Sequence, residues 1–108
     1  MIIGDSMIQE IDIQINNGLS ESINATINFS KKLFSINNIK YSVNDTFLDN
    51  LLDTIYLWQN EYGRDDNIDS EEFTVNVKTD SGIETFHGKG IFPQNYYYFK
   101  ELLGDFNG

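Results

Sequence analysis

The sequence predicts an α+β fold: an antiparallel sheet in the order β-β-β-α-β-β-α, with two helices packed on one face. Three observations carry this. Apolar and polar residues alternate along 11–15, 23–29 and 73–77, the period of half-buried strands. Between 47 and 62 the apolar residues recur at three- and four-residue steps, the period of a helix. Pro93 and Gly104 then bracket a second helical pattern. A length of 108 residues, 40% of them hydrophobic and 14% aromatic, supports a single domain over 1–108 with a true core.

The elements follow in order. Ile11, Ile13 and Ile15 alternate with Asp12 and Gln14, and Asn16-Asn17-Gly18 supplies a turn, because Asn and Gly tolerate positive φ. Ile23, Ala25, Ile27 and Phe29 repeat the alternation. After Lys31-Lys32 the apolar phase moves from odd to even positions, to Phe34 and Ile36, which predicts a β-bulge near residues 31–33. Asn37-Asn38 predicts a two-residue hairpin turn that pairs Ile36 with Ile39 and Phe34 with Tyr41.

Asn44 or Asp45 caps a helix expected to run to about Tyr62, with Gly63 as the residue that ends it. Its inner face is Phe47, Leu48, Leu51, Leu52, Ile55, Trp58 and Tyr62, with Trp58 expected in the core. Asp45, Asp49 and Asp53 stand four apart along the opposite side. Asp45 gains from the helix dipole, whereas Asp49 and Asp53 lie too far in, and like charges at this spacing cost a few tenths of a kcal/mol per pair. An acidic loop, 64–72, leads to a second hairpin. There Phe73, Val75 and Val77 alternate with Thr74, Asn76 and Lys78, and a turn at Ser81-Gly82 sets Val77 opposite Phe86. Gly88 and Gly90 mark where that strand ends or bends. Pro93 fits the first position of the last helix, whose inner face is Phe92, Tyr96, Phe99, Leu102 and Leu103 and which Gly104 closes.

Charge is unevenly distributed. The net charge is −10, yet residues 1–40 balance to −1 and residues 85–108 to zero. Residues 41–84 carry eleven acids against Arg64 and Lys78, a balance of −9. A field of that sign attracts cationic partners and repels nucleic acid. The chain has no cysteine, which excludes disulfides and thiolate metal sites. No apolar run approaches the roughly 20 residues that span a bilayer, and the start lacks the basic and apolar regions of a signal peptide. A cytoplasmic, non-membrane protein is expected.

Asp65, Asn67 and Asp69 match positions one, three and five of a calcium loop, but Ser70 stands where Gly is needed and Asn76 where Glu is needed. No metal or other cofactor is expected. His87 is the only histidine and reads as an ordinary strand residue, and no serine sits in a nucleophile-elbow context. Gly88-Lys89-Gly90 is too short for a phosphate loop. Tyr96, Tyr97 and Tyr98 cannot all face inward; Tyr96 is expected in the core and at least one of Tyr97 and Tyr98 outside, where tyrosine suits an interface. The acidic residues themselves serve either as a solvated face or as a docking surface for a basic protein.

The stretch Leu57-Trp-Gln-Asn-Glu-Tyr62, the strand Phe73-Thr-Val-Asn-Val77 and the run Gly88-Lys-Gly-Ile-Phe-Pro-Gln-Asn-Tyr96 resemble small uncharacterised bacterial and phage α+β domains. Those domains place a helix, an acidic loop, a hairpin and a Gly-x-x-x-x-Pro-x-Asn-aromatic helix start in this order. The resemblance covers about half the chain and implies fold alone. A small, acidic, cysteine-free chain of this kind is also similar in character to phage anti-CRISPR proteins, several of which mimic nucleic acid.

The functional expectation is a non-enzymatic inhibitor or binding protein that docks on a basic, nucleic-acid-binding protein and does not itself bind nucleic acid. Its docking residues are expected to be Asp45, Asp49, Asp53, Glu61, Asp65, Asp66, Asp69, Glu71 and Glu72, with Tyr97 and Tyr98. An immunity protein that neutralises a toxin is the alternative of the same class. A structural or regulatory domain that forms a homodimer through a sheet edge, its acids serving only solubility, is the alternative of a different class.

Overall fold

The structure, a computed structural model, describes residues 7–17, 22–64 and 70–104. Strands β1 (Ile8–Asn16), β2 (Ile23–Asn28), β3 (Leu33–Ile36) and β4 (Ile39–Ser42) precede helix α1 (Asp45–Tyr56). Strands β5 (Glu61–Arg64), β6 (Glu72–Thr79) and β7 (Gly82–Lys89) follow, and helix α2 (Tyr96–Gly104) closes the order. The strands form one seven-stranded sheet in the order β4-β3-β2-β1-β6-β7-β5. The α+β class therefore stands, but four strands precede α1 and three follow it, where three and two were expected. The sheet itself is mixed, because β5 runs parallel to β7 while every other pair is antiparallel.

Period-two alternation decides the two faces of the sheet. Ile11, Ile13 and Ile15 of β1 and Val75 and Val77 of β6 point to the same side and are buried. Ala25 and Ile27, Phe34 and Ile36, and Phe73 and Phe86 join them. These residues and the buried faces of both helices, led by Leu51, Ile55, Tyr96 and Phe99, form one cluster. Each fully buried Ile or Phe side chain is worth about 1.5–3 kcal/mol against exposure. On the other side, Glu10, Asp12, Gln14, Asn24, Thr26, Ser35, Thr74, Asn76, Lys78 and His87 leave the sheet polar.

The Asn37-Asn38 turn forms as its residues dictate. Both asparagines adopt positive φ, 46° and 72°, and Ile36 pairs with Ile39 and Phe34 with Tyr41. The β-bulge expected near residues 31–33 is instead a turn over 29–32 that reverses the chain between β2 and β3. Asn28 accepts from the Lys31 amide and Lys32 takes a positive φ of 53°. The phase change thus marks two strands rather than one slipped strand.

The second hairpin turns at Asp80-Ser81, between Thr79 and Gly82, one residue earlier than expected. Gly82 takes φ +141° just after the turn. Val75, not Val77, therefore faces Phe86. The register moves by two, so each side chain stays on its expected face but meets a different neighbour.

Helix α1 begins as expected, with the Asn44 side chain accepting from the Phe47 amide at 2.9 Å. It ends at Tyr56 rather than Tyr62. Asn95, just ahead of α2, explains the stop: its side-chain NH2 donates to the Thr54 carbonyl at 3.0 Å and its oxygen accepts from the Trp58 indole at 2.7 Å. A carbonyl left open at the helix end is satisfied from another element. Trp58 leaves the helical path and enters the core, where it meets Phe73, Phe86 and Phe99 edge-on. Residues 61–64 then form β5 instead of a last helical turn, and Gly63 uses its positive φ of 94° inside that strand.

Gly88 lies within β7 at a close approach. A Cβ there would fall 2.5 Å from the Ile91 carbonyl oxygen and 2.7 Å from the Phe73 ring. Pro93 stands three residues ahead of α2, and its carbonyl accepts from the Tyr96 amide in the turn that leads into the helix.

Candidate functional site

Among the described residues, six of the acids of residues 41–84 fall into two sets in space. The first lies on α1. Asp45, Asp49 and Asp53 are exposed, four residues and about 6 Å of axial rise apart. The sequence of α1 holds three aspartates and no cation. Asp45 meets Lys32 at 3.0 Å, an exposed pair of little energetic worth. Among the described residues, Asp49 and Asp53 enter no ion pair. Helix α2 packs against α1 and presents Tyr97, 79% exposed, and Tyr98, 47% exposed. Lys100 of α2 is turned inward to Glu71.

The second set is engaged within the fold. Glu71, its side chain only 14% exposed, accepts from the Tyr96 hydroxyl at 2.6 Å, from Lys100 at 3.1 Å and from the Asn17 amide at 3.4 Å. Burial alone would push its carboxyl up, but the bonds from Tyr96 and Lys100 outweigh that and hold it below the ordinary value. Burial, and then the bond to Glu71, push the Tyr96 hydroxyl far above the ordinary tyrosine range. Glu71 thus ties the entry of β6 to α2 and presents little carboxylate to a partner.

Glu61 and Glu72 flank His87 on the open face of the sheet. Nδ1 of His87 lies 3.0 Å from Glu61 and Nε2 lies 2.6 Å from Glu72. Hydrogen bonding to Glu72 and then Glu61 raises the imidazole above its ordinary value, against a smaller effect of burial. The bond to His87 holds each carboxyl below its ordinary value. With both ring nitrogens taken by carboxylates, this imidazole has none left to activate a serine. Asp65, Asp66 and Asp69, and with them the calcium-loop residue Asn67, lie outside the described residues.

Acids beyond this segment are also used internally. Lys78 bridges Asp12 at 2.9 Å and Glu10 at 3.0 Å on the open face, and bonding to Asp12 and then Glu10 raises its ammonium above the ordinary lysine range. A shallow depression of about 600 Å³ beside Asp12 is lined by neutral amides and hydroxyls, among them Gln14, Asn24, Thr26 and Ser35. Among the described residues no group of three or more His, Cys, Asp or Glu side chains is arranged to hold a metal ion. No helix of the described residues is long and apolar enough to cross a membrane.

No family model matches the chain, and no curated protein or solved structure does so either.

Sequence reasoning missed the triple of Glu61, His87 and Glu72. The signal was concealed by the register of the second hairpin. With a turn at Ser81-Gly82, His87 would oppose Asn76; in the structure it opposes Thr74 and reaches Glu72, one row along the same face.

Proposed function

We propose that this chain is a non-enzymatic acidic binding protein that docks the outer face of α1, with the tyrosines of α2, on a basic surface of a nucleic-acid-binding protein. The observation that carries the reading is the exposed pair Asp49 and Asp53 on a helix with no cation. Their repulsion costs helix stability, and neither a cap nor the dipole at the amino end repays it. Carboxylates repeated at one helical turn suit a groove of lysines and arginines that otherwise holds phosphates. Tyr97 and Tyr98, exposed on the helix that packs against α1, add rigid contact area, as anchors of an interface do.

The reading is of the nucleic-acid-mimic type that anti-CRISPR proteins represent, and a basic nuclease toxin presents the same groove chemistry. Affinity capture tests it. Wild-type protein is expected to retain a basic protein that elutes with added salt and with competing duplex DNA. The D49K/D53K double variant is expected to lose it while keeping the wild-type circular dichroism. Capture that survives the charge reversal, or ignores ionic strength, overturns the reading and moves attention to Tyr97 and Tyr98.

A further inference from the structure

His87 sits where β5, β6 and β7 meet, and its pairs with Glu61 and Glu72 tie the edge strand to the sheet. Strand β5 is short and held by two parallel register pairs to β7, Glu61 with His87 and Arg64 with Lys89, with an irregularity between them. The His87 amide also donates to the Asn60 carbonyl at 2.9 Å, and the Asn60 side chain donates to the Thr85 carbonyl and to Glu84. An edge strand with so few backbone bonds belongs to the least stable part of a fold.

We propose that His87 is a proton-operated latch on β5: as imidazolium it clamps Glu61 of β5 to Glu72 of β6, and on losing its proton it releases one of them and loosens the edge strand. The geometry requires this. A carboxylate only accepts hydrogen bonds, and a neutral imidazole carries a single N–H. Both ring nitrogens lie within 3.0 Å of a carboxylate oxygen, and the ring is 28% exposed. The neutral ring therefore sets a lone pair against one carboxylate, whichever tautomer it takes. Nε2 makes the shorter and less exposed contact, so the neutral ring keeps its N–H on Nε2, donated to Glu72, and Glu61, on β5, is let go.

Among the described residues, the other charges acting on the cluster are Lys89 of β7 and Arg64 of β5, both of which favour ionised Glu72. They strengthen the clamp's far side, whereas Glu61 has, besides His87, only a 3.3 Å bond from the Gly63 amide of its own strand, which does not tie β5 to the sheet. The sign follows from the shifts. The imidazole is raised above 6.5, so its contribution is complete below that value and is lost as pH rises through the raised one. Both carboxyls are lowered from 4.5, so theirs is complete above 4.5 and lost as pH falls through the lowered values. The latch is closed in the window between and opens on the alkaline side. It holds whether or not the helical face docks a basic partner.

Amide hydrogen exchange of the wild-type chain, with the His87 ring followed by NMR, tests the latch from about pH 6 to about pH 9. After correction for the intrinsic rate, the amides of residues 61–64 are expected to lose protection several-fold while those of β1 and β2 keep theirs. The midpoint of the loss is expected to match the His87 titration, above 6.5. In H87Q, β5 protection is expected to be low at the acid end and insensitive to pH across this range. If H87Q does not fold, the wild-type titration decides alone. Protection in β5 that ignores the His87 titration, a ring titrating at or below its ordinary value, or an H87Q profile like wild type overturns the latch.

Discussion

Two groups of acids close in sequence have opposite fates. Asp49 and Asp53 on α1 face solvent with no cation on their helix, whereas Glu61, Glu71 and Glu72 are held by His87, Tyr96 and Lys100. A local balance of −9 along the chain counts both groups alike. In the fold, the second group is spent on joining β5 to β6 and β6 to α2, whereas Asp49 and Asp53 are exposed and enter no ion pair among the described residues. Charge density read along a sequence therefore overstates the charge a partner would meet, and the difference lies in which acids find a donor.

Substitutions in each group should sharpen that contrast. The largest effect is expected at Glu71. Glu71→Ala leaves the Tyr96 hydroxyl and the Lys100 ammonium without their shared acceptor in a site only 14% exposed. Losing the partner of buried polar groups costs about 2 kcal/mol, and in a domain of this size lowers Tm by about 10 °C. Thermal denaturation measures it; a shift under about 2 °C would put Glu71 with the solvated acids. The smallest effect is expected on α1. Asp49→Asn with Asp53→Asn should change stability by no more than about 0.5 kcal/mol, and in the favourable direction, because a like-charge repulsion is relieved. Urea denaturation checks the sign, and a clear loss would mean that these aspartates have a role within the fold.

The class of the fold and most of its core were legible in the sequence for local reasons. Ile11, Ile13 and Ile15, or Phe73, Val75 and Val77, declare a buried face by alternation alone. The Asn37-Asn38 turn was equally readable, since two asparagines in positive φ suit only a tight hairpin. What escaped depended on contacts between distant segments. Trp58 and Tyr62 fit the helical period, so α1 looked longer than it is; the stop comes from Asn95, 37 residues beyond Trp58. Strand β5 and its parallel pairing were concealed by the same overextended helix. Glu71 looked like a loop acid because nothing near it in the chain announces Tyr96 and Lys100. The site around His87 was lost to a two-residue error in register that left every face correct and every neighbour changed.

The most direct test of the central claim sets the two groups of acids against each other at equal net charge, at about pH 5.5, where the His87 imidazole carries its proton in both variants. D49N/D53N and E61Q/E72Q each remove two negative charges, one pair from α1 and one from the His87 clamp. Binding of an oligolysine peptide, measured by titration calorimetry over a series of salt concentrations, separates local presentation from bulk charge. D49N/D53N is expected to weaken binding several-fold and flatten its salt dependence, while E61Q/E72Q leaves both near wild type. Equal weakening in the two variants would contradict the account, since charge would then act through its total and not through the face of α1.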